Sequence, residues 1–179
     1  MAHSVSLSPI TPNQIARLIG FSDDPELIDT MGWAPFRPDE AERFVQAIET
    51  LTLPDCGDGN PTTLCIIIEK AQIPAGYVTI KGINRDKTKA EIGIAIMDRR
   101  YRSGGHGTEA LQRAADYAFN TMKLGCLGLT VFPSNTRAIK AYRKVGFEAV
   151  DLLRNSWTLP DGKQVDMLLM ELHKKIDQF

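Results

Sequence analysis

Short apolar runs recur along the chain, several of them alternating with polar positions, and they predict about seven β-strands. The runs fall at residues 4–7, 63–69, 76–83, 89–97, 126–132, 147–157 and 165–172. The polar segment 84–87 predicts a hairpin between the third and fourth runs, and Pro160-Asp161-Gly162 predicts the last turn. In the fourth run, residues 89–97, the side chains of Ile92, Ile94 and Ile96 share one face of the strand. Those of Glu91, Gly93 and Ala95 share the other face.

Apolar residues at helical spacing predict about four helices around this sheet. We expect helices near Thr11, near Pro38, after residues 102–108 and at Asn135, with Gly125 and Gly146 as helix stops. The cluster from Ser22 to Glu26 is a further helix-start signal. Its carboxylates suit a helix N-terminus, although they could also form a lip that attracts cations. The pattern therefore predicts a mixed, mostly antiparallel sheet flanked by helices, of α/β class.

Composition and charge narrow the class of protein. The chain has 179 residues, 43% hydrophobic, with a formal net charge of -1. We expect one domain over residues 1–179, with no nucleic-acid partner and no membrane segment or signal peptide. The three cysteines, at 56, 65 and 126, are odd in number and widely spaced. They predict no disulfide framework and no metal site, and they favour a reducing, cytoplasmic location.

The most informative stretch is the glycine-rich segment from Arg102 to Thr108, which joins a predicted strand to a predicted helix. A helix N-terminus presents backbone N–H groups, and glycines let a ligand approach the backbone closely, so the segment favours a phosphate. It lacks the Gly-Lys-Ser/Thr of a Walker loop, and its mid-chain place disfavours a dinucleotide fingerprint. A tight turn without a ligand is the simpler alternative.

A second informative stretch runs from Val131 to Phe147. Asn135 stands at the end of a strand, and Tyr142 follows two helical turns later on the same face. An amide and a phenol so placed can reach a ligand held against the neighbouring strand. A phenol can also donate a proton to a leaving thiolate.

Together the two stretches resemble the GNAT superfamily of acetyl-CoA-dependent N-acetyltransferases. Arg102-x-x-Gly105-x-Gly107 is similar to the pyrophosphate loop of that family, which allows Arg or Gln first and Gly or Ala last. Asn135-x-x-Ala138-x-x-x-Tyr142-x-x-x-Gly146-Phe147 is similar to its second motif. The likeness extends over roughly residues 5–173. The C-terminal part most resembles the branch with ribosomal-protein alanine and spermidine acetyltransferases.

The resemblance implies roles for particular residues. Backbone N–H groups of the loop would bind the pyrophosphate of acetyl-CoA, and backbone near the end of the preceding strand would pair with the pantetheine arm. Asn135 would hold either that arm or the acceptor side. Tyr142 would act as general acid. The implied cofactor-binding residues are Ala95, Ile96, Met97, Arg102, Ser103, Gly104, Gly105, His106, Gly107, Thr108, Asn135 and Tyr142.

The acceptor side is less constrained. Glu91 lies eleven residues before Arg102, where histone-acetyltransferase members carry their base, so it is the candidate general base, or else a carboxylate without a chemical role. Trp33 and Phe36 are candidate substrate-binding residues, or packing residues. The implied function is acetyl transfer to a primary amine: a protein N-terminus, a polyamine or an aminoglycoside-like molecule. The alternative is a non-catalytic acyl-CoA-binding regulatory module. Edge strands near the C-terminus suggest a possible homodimer.

Overall fold

The computed structural model describes residues 4–31, 61–84, 86 and 88–175, and within them the central element is a seven-stranded sheet. Its strands are β1 (Val5–Pro9), β2 (Thr63–Ile68), β3 (Ile73–Lys81), β4 (Lys89–Ile96), β5 (Cys126–Val131), β6 (Glu148–Thr158) and β7 (Gln164–His173). The strand order is β1-β2-β3-β4-β5-β7-β6. Every pair is antiparallel except β4 with β5. The predicted sheet is confirmed, and so is the antiparallel pairing of the strands on either side of each predicted turn, β3 with β4 and β6 with β7.

Four helices flank the sheet within the described residues: α1 (Pro12–Ile19), α2 (Pro25–Met31), α3 (His106–Asp116) and α4 (Thr136–Val145). The start of α1 follows the predicted cap, because Thr11 and Gln14 form a reciprocal capping box. Asn135 caps α4, and Gly146 ends it with φ 110°. The helix predicted near Pro38 lies outside the described residues.

The predicted stop of α3 at Gly125 is wrong. The α-helix ends at Asp116 and continues as one π-helical turn, Tyr117–Thr121. Lys123 then takes the left-handed conformation, φ 61°, that a stop glycine would supply. Gly125 instead donates its N–H to the Thr88 carbonyl at 2.8 Å, and so begins the pairing of the next strand with β4. A side chain there would press on that carbonyl, at 3.3 Å from its Cβ.

The two faces of the sheet are packed separately. One face carries the main core, in which Ile92, Leu127 and Met170 pack with buried residues of α3 and α4. The other face packs Tyr77 and Ala95 against Leu18 of α1 and Leu27 of α2. The predicted division of β4 into an isoleucine face and a Glu91-Gly93-Ala95 face is therefore confirmed.

The parallel pair of β4 and β5 opens a gap in the middle of the sheet. Their register contains three pairs and ends at Glu91 opposite Gly128, although β4 runs on to Ile96 and β5 to Val131. Beyond that point the two strands no longer share backbone hydrogen bonds. The gap opens into a cavity of about 670 Å³. The candidate site lies in this cavity.

The prediction of a single domain over residues 1–179 stays a prediction. Among the helices that the structure describes, none has both the length and the apolar character to cross a membrane.

Candidate active site

The cavity at the β4–β5 gap brings together residues far apart in sequence. Its walls come from the glycine-rich loop and α3, from α4, from the diverging strands and from α2. Nine of the predicted cofactor-binding residues line it: Ala95, Ile96, Arg102, Ser103, Gly105, Gly107, Thr108, Asn135 and Tyr142. Glu91 lines it as well. Met97, Gly104 and His106 do not.

The loop before α3 has the geometry of an anion cradle. Ser103 and Gly105 both take positive φ, 66° and 88°, and Gly105 caps α3 without a side-chain hydrogen bond. Glu109 N–H is the first to bond back into the helix, to the Gly105 carbonyl. The N–H groups of Gly107 and Thr108, in the first turn, therefore have no acceptor within α3 and lie at the cavity wall. The residues present fit a phosphate-bearing ligand.

Arg102 is held by the protein itself. Its Nε donates to the Ile96 carbonyl at 2.9 Å, and its Nη2 donates to the Met97 carbonyl at 2.8 Å. Its Nη1 lies 3.3 Å from Asp24 and 3.2 Å from Glu26, and the side chain is only 6% exposed. The guanidinium thus ties the loop to the end of β4 and to the start of α2. If Arg102 contributes to cofactor binding, it does so while it still makes these contacts with the protein.

The same hydrogen bonds limit how the end of β4 can bind a ligand. The carbonyls of Ile96 and Met97 already accept hydrogen bonds from Arg102. Met97 is fully buried. Ala95 is also nearly buried, and a Cβ on Gly76 of β3 would lie 2.0 Å from its carbonyl oxygen, so β3 and β4 approach closely there. The predicted pairing with a pantetheine arm would use backbone groups other than these two carbonyls.

Asn135 serves the fold and the cavity at once. Its Oδ1 accepts the N–H of Ala138 at 3.1 Å, which caps α4. An amide accepts through its oxygen only, so the Nδ2 group is the end that can donate to a ligand. The cap fixes the side chain at the cavity wall and leaves its Nδ2 amide group, with two N–H donors, to face a ligand.

Tyr142 lies on α4, half-buried, with its ring 6.0 Å from the ring of Phe147. Burial raises its pKa to about 12. The phenol is therefore protonated across the physiological pH range, as a proton donor has to be. Position and protonation state both fit the predicted general acid.

Glu91 lies where the two strands separate. It is the last residue of β4 to pair with β5, and its carboxylate contacts Lys81 Nζ on β3 at 3.0 Å. Both side chains are about half exposed, at 51% and 46%. The carboxylate can meet an incoming amine, but one oxygen shares its charge with Lys81.

His106, an implied cofactor-binding residue, is buried beneath the loop and does not line the cavity. Its side chain is 4% exposed, packs edge-on against Tyr101 and bonds the Tyr101 carbonyl through Nδ1 at 3.0 Å. Within the loop it is a packing residue that supports the turn below Gly104. Trp33 and Phe36, the predicted substrate-binding residues, lie outside the described residues.

Sequence reasoning missed the charged residues that organise the loop. Asp98 is 1% exposed, caps the 3₁₀ turn Arg99–Tyr101 through the Arg100 N–H, and pairs with the Arg100 guanidinium at 2.6 Å. The hydrogen bond from Arg100 holds the pKa of Asp98 below its usual range. The Asp98-Arg99-Arg100 run, directly after an apolar strand, was the available signal.

The acidic cluster at the start of α2 suits the helix N-terminus as expected, because Asp24 Oδ1 accepts the Glu26 N–H at 3.0 Å. It also has a second structural role that neither sequence interpretation named. Asp24 and Glu26 bind the nearly buried Arg102, and Glu26 also binds Arg137 of α4. These contacts join residues 76 and 111 positions apart. Such partners cannot be found from local pattern.

A second polar cluster lies on the Glu91 face of the sheet. Potential ligand atoms of Cys126, Glu171 and His173 lie within 4.8 Å of one another. Lys89 Nζ pairs with Glu171, so an ammonium already balances that carboxylate. The expectation of no metal site stays a prediction.

Comparison with known proteins agrees with the geometry. Residues 4–148 match the family model described as the acetyltransferase (GNAT) domain. The chain is 28% identical over 159 residues to an uncharacterized N-acetyltransferase, p20, of Bacillus licheniformis, covering 88% of this chain and 86% of that protein. It is 29% identical over 146 residues to the spermidine N(1)-acetyltransferase of Escherichia coli K12, covering 82% and 74%.

Solved structures share the fold. The spermidine N-acetyltransferase of Vibrio cholerae, in complex with CoA and spermine, aligns with a TM-score of 0.80 over 94% of this chain and 95% of that one, at 16% identity. A GNAT-family acetyltransferase of Bacillus anthracis aligns with a TM-score of 0.79, over 97% and 96%, also at 16% identity. The chain therefore belongs to the GNAT family and is an acyltransferase, not a non-catalytic acyl-CoA-binding module.

Proposed function

We propose that this enzyme transfers an acetyl group from acetyl-CoA to a primary amine by direct attack within a ternary complex. One observation carries the proposal: the β4–β5 gap places the N-terminus of α3, the phenol of Tyr142 and the carboxylate of Glu91 around one cavity. When bound, acetyl-CoA supplies an activated thioester. The chain's own residues would hold its phosphates and handle two protons.

The phosphates would be held by backbone N–H groups at the start of α3, notably those of Gly107 and Thr108. Asn135 would donate its amide to the pantetheine arm. Arg102, although committed to protein partners, would set the position of the loop. Gly105 supports phosphate binding by the loop, because a glycine adopts φ 88° without the steric strain that a side chain would cause.

Proton handling would be divided between two walls of the cavity. Glu91 would accept the proton that the amine must lose before it attacks. A backbone N–H near Ile96 would stabilise the oxyanion. Tyr142 would donate its proton to the departing thiolate. Its raised pKa keeps that proton in place until the thiolate forms.

Among the amines that fit, a polyamine is best supported. Five adjacent strands place Lys81, Glu91, Gly128, Glu171 and Glu148 opposite one another in register, on one face of the sheet. Three of these residues are carboxylates, and the glycine leaves room between two of them. Of the three carboxylates, Glu91 lines the cavity. Glu91 and Glu171 already pair with Lys81 and Lys89, so an acceptor with several ammonium groups would displace these lysines in order to bind along the row. Relatives named spermidine N(1)-acetyltransferase point the same way.

The test is release of CoA thiol from acetyl-CoA with a panel of amines: spermidine, a peptide with N-terminal alanine, and an aminoglycoside. We expect the highest kcat/KM for spermidine. Tyr142→Phe should lower kcat by roughly 100-fold, with KM nearly unchanged, because general acid catalysis contributes about 10²–10⁴. Glu91→Gln should lower kcat/KM and change how kcat/KM depends on pH, because the group that accepts the amine proton is lost.

Two results would count against these roles. Full activity in Tyr142→Phe would remove the phenol as acid. An unchanged pH profile in Glu91→Gln would remove Glu91 as base. Highest activity on the peptide or the aminoglycoside would reassign the acceptor without affecting the donor site.

A further inference from the structure

Glu26 of α2 bridges two arginines at the edge of the cavity. One carboxylate oxygen, Oε2, lies 3.2 Å from Arg102 Nη1, and the other, Oε1, pairs with Arg137 Nη1 on α4. Both guanidinium groups therefore contact the same carboxylate, beside the loop that we propose binds phosphate. With Asp24 the cluster holds two guanidinium and two carboxylate groups, so a guanidinium becomes available to an anionic ligand when a carboxylate moves away from it.

The two arginines are held very differently. Arg102 is 6% exposed and keeps Asp24 and two backbone carbonyls as partners in addition to Glu26. Arg137 is 48% exposed, and Glu26 is the one carboxylate that contacts it among the described residues. If Glu26 moved, Arg102 would stay in place. Arg137 could then take another anion.

The pair also joins opposite walls of the cavity. Arg137 lines it from α4, two residues after the capping Asn135. Leu27 and Thr30, the neighbours of Glu26 on α2, line it from the other side. The ion pair is thus a tie across the cavity. Each of its side chains is about half exposed, so the tie is weak enough to exchange.

We propose that Arg137 exchanges Glu26 for a phosphate group of the acyl-CoA donor, so that Glu26 competes with the donor for Arg137. The proposal rests on the proposed function, in which the donor is acetyl-CoA. Its consequence is that donor binding releases α2 from α4. Because α2 lines the cavity through Leu27, Thr30 and Met31, binding of the donor would alter the shape of that wall.

Hydrogen bonding to Arg137 holds the pKa of Glu26 below its usual range. The carboxylate is therefore charged throughout the neutral range, and the competition does not depend on pH there. Asp24 offers a matched control, because it pairs with Arg102 in the same cluster but not with Arg137.

The experiment is titration of the full chain with acetyl-CoA by calorimetry. We expect Glu26→Gln to bind about two- to fivefold more tightly than wild type, the range of an exposed ion pair. Arg137→Gln should bind several-fold more weakly. In the double variant the gain from Glu26→Gln should disappear, leaving a Kd within about twofold of Arg137→Gln. Asp24→Asn should not bind more tightly.

Glu26→Asp is a second variant, which keeps the charge but shortens the reach to Arg137, and it should also tighten binding. Thermal melts of each variant show that it is folded. Equal or weaker binding in both Glu26 variants overturns the proposal, as does a gain that persists without Arg137. If wild type does not bind acetyl-CoA at all, the proposed function fails instead.

Discussion

Lys81 limits how strongly the candidate base, Glu91, can attract a cationic acceptor, because its ammonium group pairs with that carboxylate. Its Nζ lies 3.0 Å from Glu91 Oε1, from the neighbouring strand, and both residues line the cavity. A cationic acceptor must share or displace this ammonium. The carboxylate therefore attracts an amine less strongly than an isolated one would.

Lys81→Gln should lower KM for a polyamine by about two- to fivefold, because removal of an exposed ammonium is worth up to roughly 1 kcal/mol. Steady-state kinetics at low ionic strength would measure it, and added salt should shrink the difference. Lys163→Gln, in the turn between β6 and β7, removes the same charge away from the cavity and should leave KM unchanged. Equal effects of both substitutions would mean that only net charge matters.

At the scale of the element, the loop before α3 depends on two glycines for different reasons. Gly105 has φ 88°, and a Cβ there would meet nothing within 4 Å, so its need is purely conformational. Gly107 lies inside α3, and a Cβ there would meet Ile96 Cγ1 at an ordinary 3.6 Å. The two positions should therefore respond to alanine in opposite ways.

Gly105→Ala should cost about 1–2 kcal/mol through its left-handed backbone and lower Tm by roughly 2–8 °C. It should also weaken acetyl-CoA binding, since the loop would have to change shape. Gly107→Ala should leave Tm unchanged or raise it, because alanine favours the helix. Thermal melts measure both. A Gly107→Ala variant that melts lower than Gly105→Ala would contradict this account.

Sequence patterns predicted the helix caps and the glycine turn because each of these features depends on a few neighbouring residues. The capping box at Thr11, the Asn135 cap and the glycine turn each need only a few consecutive positions. The stop of α3 was missed because a π-helical turn and a left-handed Lys123 ended it early. Neither feature leaves a glycine or proline in the sequence, and backbone packing overrode propensity there.

At the scale of the whole molecule, the sheet pattern predicted the fold but not the cavity. The gap between β4 and β5 depends on where their pairing stops, at Glu91 and Gly128. The sequence of either strand alone does not indicate that point. The anchoring of Arg102 by Asp24 and Glu26 likewise depends on contacts across the fold. The motif predicted a loop that lines the cavity. It did not show that the arginine in the motif is bound to the protein.

The buried titratable groups of the sheet should make the whole molecule sensitive to alkali. Burial raises the pKa of the fully buried Cys65 thiol to about 12, and it also raises the pKa of Tyr77 on the neighbouring strand. A raised folded-state pKa means that the unfolded chain loses its proton first. The stabilisation is complete below the ordinary thiol pKa, about 8.5, and is lost as pH rises toward 12.

Wild type should therefore lose on the order of 2–3 kcal/mol between pH 8.5 and 11, a fall in Tm of roughly 5–10 °C beyond any general effect of charge. Cys65→Ala should start lower, because it leaves a small cavity, but its Tm should fall less steeply between pH 9 and 11. Calorimetric melts across that range measure both slopes. Parallel slopes in the two proteins would show that the Cys65 thiol does not control alkaline stability, and would leave Tyr77 and Tyr142 as the groups to test by the same method.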